Sequence, residues 1–98
     1  MFALVVRFDC RDEEAAARFD ELTSEAVRLI TEREPGTLVY ATAAVRDEPL
    51  ARVFYEVYRD PEAHAAHESR PEVAAFLDEV RTLVSGVRVE LLVPDEAA

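Results

Sequence analysis

Alternating apolar and polar residues predict that the chain begins with a β-strand. Positions 2–10 alternate with a period of two residues, which is the period of a strand. Asp12 follows as a candidate N-cap, and apolar residues then recur every three to four positions until Pro35-Gly36. This second pattern predicts an amphipathic helix between the cap and the Pro-Gly pair.

Helix signals recur in the second half of the chain. Asp60-Pro61-Glu62 combines an N-cap, a proline at the first helical position and an early acid, and it predicts a helix to about Glu68. Pro71 interrupts that helix and begins a second helical segment. The other expected segments are strands at 37–45, 51–58 and 87–93, a polar turn at 46–49, a helix stop at Ser85-Gly86 and an acidic tail at 94–98.

The resulting order, β-α-β-β-α-β with a split second helix, predicts an α+β fold of the ferredoxin-like class. Such a fold lays its helices on one face of a four-stranded antiparallel sheet, and residues 1–98 are expected to form one domain. The uncovered face of the sheet should then be polar, yet the second and third predicted strands are largely apolar on both faces. A two-fold homodimer that stacks the two sheets would cover this surface.

The charge of the chain narrows the class of partner. Its 98 residues carry 11 basic side chains, all arginine, against 21 acids, for a net charge of −10. Nucleic-acid phosphates and anionic membrane surfaces both require clustered cations, so neither is an expected partner. A small apolar or weakly polar molecule, or another protein chain, fits this charge better. The longest apolar run near the N-terminus, Phe2–Val6, is too short for a signal or a membrane span, which predicts a soluble cytoplasmic protein.

The two histidines of the chain, His64 and His67, lie three residues apart on the second predicted helix. This spacing would allow metal ligation if Glu56 or Glu68 converged on the same point. Two residues at this spacing are a weak signal, and no metal site is predicted. One ring is expected to face the sheet and the other to face solvent, in either order.

Glu56 and three tyrosines are the other candidates for chemistry. Glu56 stands in the middle of an apolar strand, so it either faces a cavity or, as the favoured interpretation, pairs with an arginine of another strand. The arginines available for this pairing are Arg7, Arg52 and Arg88. Each tyrosine can pack on the sheet while its hydroxyl reaches a polar partner, on either face of the sheet. The tyrosines are Tyr40, Tyr55 and Tyr58.

Three stretches of the sequence, by their order and separation, resemble the antibiotic biosynthesis monooxygenase (ABM) family of small dimeric α+β barrel proteins. They are Glu34–Tyr40, Tyr55–Asp60, and Ala63-x-x-x-His67 followed by Pro71 and Phe76. The resemblance covers nearly the whole chain and is closest to the quinol-monooxygenase-like branch. It is diagnostic of the family more than of an activity, because members range from enzymes to domains of no known reaction.

The resemblance implies oxygenation of a phenolic or quinol aromatic substrate, polyketide-like ones included, by a homodimer that uses O₂ and no flavin, haem or metal. In the implied site His67 and Tyr58 are catalytic, with His67 as the base and Tyr58 orienting the substrate. The implied substrate-binding residues are Tyr40, Tyr55, Glu56, His64 and Phe76. The chain departs from the branch at Glu72, where a second histidine is common. The chain also has no Asn or Trp, which excludes haem degradation as the haem-degrading branch performs it.

Two other functions fit the same sequence. A non-catalytic dimeric ligand-binding or stress-response module would retain the scaffold, and Glu72 favours it. A polyketide cyclase or isomerase would use a similar base without oxygen. An open apolar pocket lined by His67 and tyrosines would favour catalysis or ligand binding, whereas a filled interior would favour the non-catalytic module.

Overall fold

The computed structural model describes residues 1–95, which form four strands and three helices. The strands are β1 (Phe2–Cys10), β2 (Thr37–Val45), β3 (Glu48–Tyr58) and β4 (Val84–Leu92), and the helices are α1 (Glu13–Arg33), α2 (Pro61–Glu68) and α3 (Pro71–Arg81). Neighbouring strands are antiparallel and follow the order β2-β3-β1-β4. The expected ferredoxin-like α+β arrangement, with its second helix split in two, is confirmed. Across residues 1–95, none of the helices is both long enough and apolar enough to cross a membrane.

Aspartates cap both predicted helix starts. Oδ1 of Asp12 and Oδ1 of Asp60 each accept a hydrogen bond, at 2.8 Å, from a backbone N–H in the first turn of the helix that follows. The split between α2 and α3 follows from Pro71, which favours an extended conformation for the residue before it. Arg70 accordingly has φ −70° and ψ 133°. The separately capped α2 carries both histidines against the aromatic rings of the sheet.

The hairpin between β2 and β3 is tighter than the sequence predicts. β3 begins at Glu48 rather than at position 51, because the chain reverses within a short turn that holds Asp47 in the left-handed region, at φ 66°. At the other end of the chain, Pro94 and Asp95 have no regular structure. The rest of the predicted acidic tail, 96–98, lies outside the described residues.

The last strand also begins earlier than expected. The expectation that Ser85-Gly86 closes the second helix is wrong, because α3 ends at Arg81 and both residues belong to β4. Thr82 occupies the C-cap of α3, and Val84 already pairs with β1. Ladder hydrogen bonds to β1 therefore override the helix-stopping tendency of the Ser-Gly pair.

An aromatic cluster fills the space between α1, α3 and the sheet. Phe8 packs against Phe19 and Phe54, with ring centroids 5.1 and 4.9 Å apart. Phe76 of α3 stacks on Phe54 at 6.3 Å. Burial of one such ring stabilises the fold by about 1.5–3 kcal/mol. The cluster therefore determines the distance of α1 and α3 from the sheet. The space beneath α2 lies next to this cluster.

The sheet face opposite the helices is uncovered and largely apolar. The strand register places Val5 and Ala41 on either side of Tyr55, at the centre of this face. Tyr55 is 42% exposed and Val39 is 39% exposed. An apolar surface of this kind is typical of an interaction site.

Candidate functional site

A cavity of about 340 Å³ lies between the helical face of the sheet and helices α2 and α3. Its apolar lining residues are Leu4, Val6, Phe8, Phe54, Val73, Phe76, Leu77, Val87, Val89 and Leu91. Its polar lining residues are Tyr40, Glu56, His64, His67 and Glu68. A volume of roughly 300–1,000 Å³ and a few polar groups on apolar walls are typical of a small-molecule site.

One wall of the cavity is open to solvent. Val87, Val89 and Leu91 of β4 lie on the helical face of the sheet, yet they are 51%, 54% and 69% exposed. They are exposed because, within residues 1–95, no helix packs closely on β4. A ligand can therefore enter beside this strand without displacing a helix.

His67 is the most tightly held polar residue of the cavity. Its Nδ1 lies 2.9 and 3.1 Å from the two carboxylate oxygens of Glu34, and the two side chains are only 6% and 7% exposed. A carboxylate can only accept hydrogen bonds, so Nδ1 carries the proton and donates it. In the neutral ring the lone pair is then on Nε2, which has no hydrogen-bond partner in residues 1–95. The arrangement leaves a fixed imidazole with a basic nitrogen available to a ligand.

Glu34 is itself held by three groups. Besides His67, the hydroxyl of Thr37 donates to its Oε1 at 2.8 Å, and Nε of Arg70 lies 3.5 Å from its Oε2. Glu34 is the C-cap residue of α1, directly before Pro35. The sequence carries a usable signal here, because a carboxylate at a helix C-terminus is disfavoured by the helix dipole and needs a compensating partner. The sequence-based prediction nevertheless assigned Glu34 no role in the site.

Glu56 faces the cavity and, within residues 1–95, has no arginine partner, so the predicted ion pair is wrong. Arg7 and Arg88 project from the opposite face of the sheet, and Arg52 binds Asp20 instead, with Nε 2.9 Å from Oδ1. Glu56 accepts a 2.5 Å hydrogen bond from the hydroxyl of Tyr58. Burial raises the pKa of Glu56 above its ordinary range, against the opposing effects of that hydrogen bond and of His67.

We expect Glu56→Gln to stabilise the protein more at high pH than at low pH. A carboxyl group whose pKa is raised by folding contributes stability that is fully present below its unfolded pKa, about 4.3, and is lost as the pH rises through the folded pKa. Glutamine keeps an acceptor for Tyr58 and has no charge to bury. Thermal unfolding of both proteins at about pH 4 and about pH 8 should therefore show a difference in stability that grows with pH.

Glu21→Gln is the matched control for this experiment, because Glu21 is an exposed carboxylate of α1, outside the cavity and away from the open sheet face. Its effect on stability should change little between the two pH values. A Glu56→Gln effect that is constant or that shrinks as the pH rises would contradict the raised pKa.

The three tyrosines occupy different places relative to the cavity. Tyr40 lines it, and burial, together with the nearby carboxylates of Glu56 and Glu34, raises the pKa of Tyr40 above its ordinary range. Tyr58 is fully buried and gives its hydroxyl to Glu56, but it does not line the cavity. Tyr55 lies on the opposite face of the sheet, so the structure does not bring it to this cavity. Tyr40 is thus the tyrosine that lines the cavity, with a hydroxyl that stays protonated.

His64 and Phe76 both line the cavity, as the predicted site requires. The ring of His64 stacks on Phe2, with centroids 4.4 Å apart, and its side chain is 17% exposed. Burial lowers the pKa of His64 below its ordinary range, which favours the neutral ring. The expectation that one histidine faces solvent is therefore wrong, because α2 turns both rings toward the sheet. Residues 1–95 contain no cluster of three His, Cys, Asp or Glu side chains arranged to hold a metal ion.

A ferredoxin-like sheet with helices on one face, and an imidazole held in an apolar cavity beneath them, defines an α+β protein with a candidate small-molecule site. Residues 1–79 match the family model described as antibiotic biosynthesis monooxygenase, ABM, and the chain belongs to this family. The resemblance in the sequence is thereby confirmed. No curated protein sequence matches the chain.

Solved structures with the same fold come from several bacteria. Rv0793 from Mycobacterium tuberculosis is 27% identical with a TM-score of 0.87, and the match covers 99% of this chain and 98% of that chain. A Caulobacter crescentus protein, provisionally named an antibiotic biosynthesis monooxygenase, has 21% identity and a TM-score of 0.90, with coverages of 97% and 90%. A Bacteroides thetaiotaomicron protein with the same provisional name has 20% identity and a TM-score of 0.88, with coverages of 95% and 88%. The last two likenesses concern the fold alone.

Proposed function

We propose that the protein is a cofactor-independent monooxygenase that oxidises a neutral phenolic or quinol aromatic with O₂. The observation that carries this proposal is the buried His67–Glu34 pair at the wall of an apolar cavity. Membership of the ABM family supports the same reaction class. The role of His67 is to remove the phenolic proton, which produces an electron-rich phenolate able to reduce O₂.

Proton removal from the substrate needs help from a hydrogen-bond donor. Transfer of a proton from a phenol, of ordinary pKa about 10, to an imidazole, about 6.5, costs about 5 kcal/mol. One well-placed donor to a developing oxyanion typically supplies about 3–4 kcal/mol. Tyr40 suits this role because it lines the cavity and its raised pKa keeps the hydroxyl protonated at neutral pH.

The geometry revises the role that the family resemblance implies for Tyr58. Its hydroxyl is committed to Glu56, so we assign Tyr58 as a positioning residue that holds the carboxyl group at the cavity wall. Glu56, with its raised pKa, is suited to hydrogen-bonding a second oxygen of the substrate. His67, Tyr40 and Glu56 then contact the ring substituents, while Phe76 and the apolar walls hold the ring.

The charge of the cavity favours a substrate without acidic groups. Glu56 and Glu68 line the cavity, and no arginine is among its lining residues in the described part of the chain. A carboxylate or phosphate group on the substrate would meet these side chains without a cation to pair with. An uncharged aromatic ring system that bears hydroxyl groups fits the cavity better.

We also propose that the protein acts as a homodimer. The uncovered sheet face supports this, because its centre at Val5, Ala41 and Tyr55 is apolar and no helix of residues 1–95 covers it. Two sheets stacked about 10 Å apart through a two-fold axis would bury it. Each protomer keeps its own cavity on the other side of its sheet.

The assay that tests the reaction follows O₂ consumption with simple hydroquinones and anthrones, and the mass of the product. We expect oxygen uptake that requires the protein and a product that contains one additional oxygen atom. The substrate supplies the electrons that reduce the second oxygen atom to water. Conversion without a gain of oxygen would replace this proposal with the cyclase or isomerase. Binding without any conversion would replace it with the ligand-binding module.

A further inference from the structure

A second, smaller pocket lies on the outer side of the His67–Glu34 pair. It has a volume of about 190 Å³. His67 lines both this pocket and the larger cavity, so the imidazole forms the wall between them. Three arginines surround the outer pocket, namely Arg33, Arg59 and Arg70. This concentration of cations stands out in a chain whose net charge is −10.

The guanidinium groups of this pocket have unused donors. Across residues 1–95, no hydrogen bond occupies a terminal Nη nitrogen of Arg33, Arg59 or Arg70. The side chain of Arg59 contacts the neighbouring Asp60 through Nε at 3.5 Å, and Nη1 of Arg33 lies 3.7 Å from Glu72. Nε of Arg70 donates to Glu72 at 3.0 Å, which leaves its two terminal nitrogens free within residues 1–95. Six other arginines differ, since their terminal nitrogens bind acids or carbonyls: Arg7, Arg18, Arg28, Arg52, Arg81 and Arg88. Within residues 1–95, Arg11 and Arg46 also have free terminal nitrogens, but neither lines this pocket.

The backbone holds one of these arginines over the pocket. The N–H of Arg59 donates to the carbonyl of Gly36 at 2.9 Å, which anchors the residue beside the turn after α1. Its Nη2 lies 3.6 Å from where a Cβ at position 36 would be, and the Cβ of Ala63 is only 2.8 Å from that point. Glycine at 36 therefore allows α2 and the arginine to approach the turn closely. Any larger residue would displace one of them.

We propose that Arg33, Arg59 and Arg70 form a binding site for a small oxyanion of the phosphate or carboxylate class. Guanidinium forks match both kinds of oxyanion with paired N–H donors. Acids more than about 8 Å away oppose binding only weakly, because they are largely screened at physiological ionic strength. The nearby acids Glu72 and Asp60 each contact an arginine of the pocket but do not line it, so a bound anion would share the guanidinium groups with them. Glu34 is the carboxylate among the lining residues, and His67, Thr37 and Arg70 already engage it. The site lies outside the substrate cavity, so it does not depend on the proposed reaction.

Calorimetric titration of the whole chain with inorganic phosphate and, separately, with succinate tests the proposal, with chloride keeping the ionic strength constant. We expect at least one of the two anions to bind with a dissociation constant of about 1 mM or tighter. Arg59→Ala should weaken that binding about tenfold, since hydrogen bonds to charged groups are worth at least that factor. Arg59→Lys should weaken it less, because it keeps the charge and loses the fork.

Arg28→Ala is the matched control, because Arg28 is an exposed α1 arginine whose partners are Glu25 and Glu32. It removes the same charge from outside the pocket and should leave binding unchanged. Phosphate binding without succinate binding, or the reverse, identifies the class of anion. Failure of both anions to bind, or equal weakening by Arg59→Ala and Arg28→Ala in folded proteins, would overturn the site.

Discussion

Replacing His67 with alanine is expected to reduce kcat for any phenolic substrate by about a hundredfold to ten-thousandfold. That is the usual contribution of a positioned general base, and the second histidine, His64, stacks on Phe2 instead of binding Glu34. His67→Gln should lose as much activity while its amide still donates to Glu34, so it separates the loss of the base from any loss of folding. Steady-state oxygen uptake, with circular dichroism of each variant, measures both. A kcat close to that of the wild type in folded His67→Gln would show that the imidazole is not the base.

Glu34→Gln tests the partner of the base. As a positioning residue, Glu34 should affect kcat about ten- to a hundredfold, in line with groups that orient a reactive imidazole. It should leave KM nearly unchanged, because its carboxylate faces away from the cavity. Glu32→Gln, an exposed acid two residues earlier on α1, should change neither constant. A purely structural role would instead lower the unfolding temperature of Glu34→Gln without this selective loss of kcat.

A charge placed at the centre of the open sheet face is expected to dissociate the proposed homodimer. Tyr55 is 42% exposed in the protomer, so Tyr55→Glu should leave the protomer folded. In a two-fold interface the change introduces two unpaired carboxylates, each of which costs several kcal/mol to bury. We expect the dimer dissociation constant to rise at least about a hundredfold, as measured by sedimentation.

Val93→Glu is the control for the dimer experiment, because Val93 is 96% exposed and lies beyond the end of β4. It adds the same charge and should leave the dimer intact. A wild-type protein that sediments as a single chain at micromolar concentration would rule out the homodimer. An unchanged dimer in Tyr55→Glu would place the interface elsewhere.

Helix caps and prolines were sufficient to predict where helices begin, because each of these signals acts on only a few neighbouring residues. The cap at Asp60 and the proline at Pro71 determine where α2 and α3 begin, whatever the rest of the chain does. The Ser85-Gly86 prediction failed because strand pairing with β1, a contact between distant segments, decided the conformation there. Boundaries set by sheet pairing were therefore less predictable than boundaries set by caps.

The site was less predictable than the fold, since its contacts join segments far apart in sequence. Sequence reasoning singled out His67, but its partner Glu34 is 33 residues away. The two meet because the β2–β3 hairpin returns the chain to the end of α1, where the N–H of Arg59 binds the carbonyl of Gly36. The partner of Glu56 depends on strand register. Register puts Arg52 on the same face but within reach of Asp20, and leaves Tyr58 as the neighbour of Glu56. Because side chains alternate along β3, the sequence places Tyr55 and Tyr58 on opposite faces of the sheet. Only the position of the helices shows that Tyr58 faces the interior.

The exposed residues of β4 that line the cavity are different from the residues that hold the His67 imidazole in place. Val87, Val89 and Leu91 are each more than half exposed, so exchanging them costs little folding stability. Helix α2 and the turn after α1, which hold the imidazole, lie across the cavity from this strand and need not change. Substitutions in this one edge strand can thus change which molecules the cavity accepts without disturbing the His67–Glu34 pair.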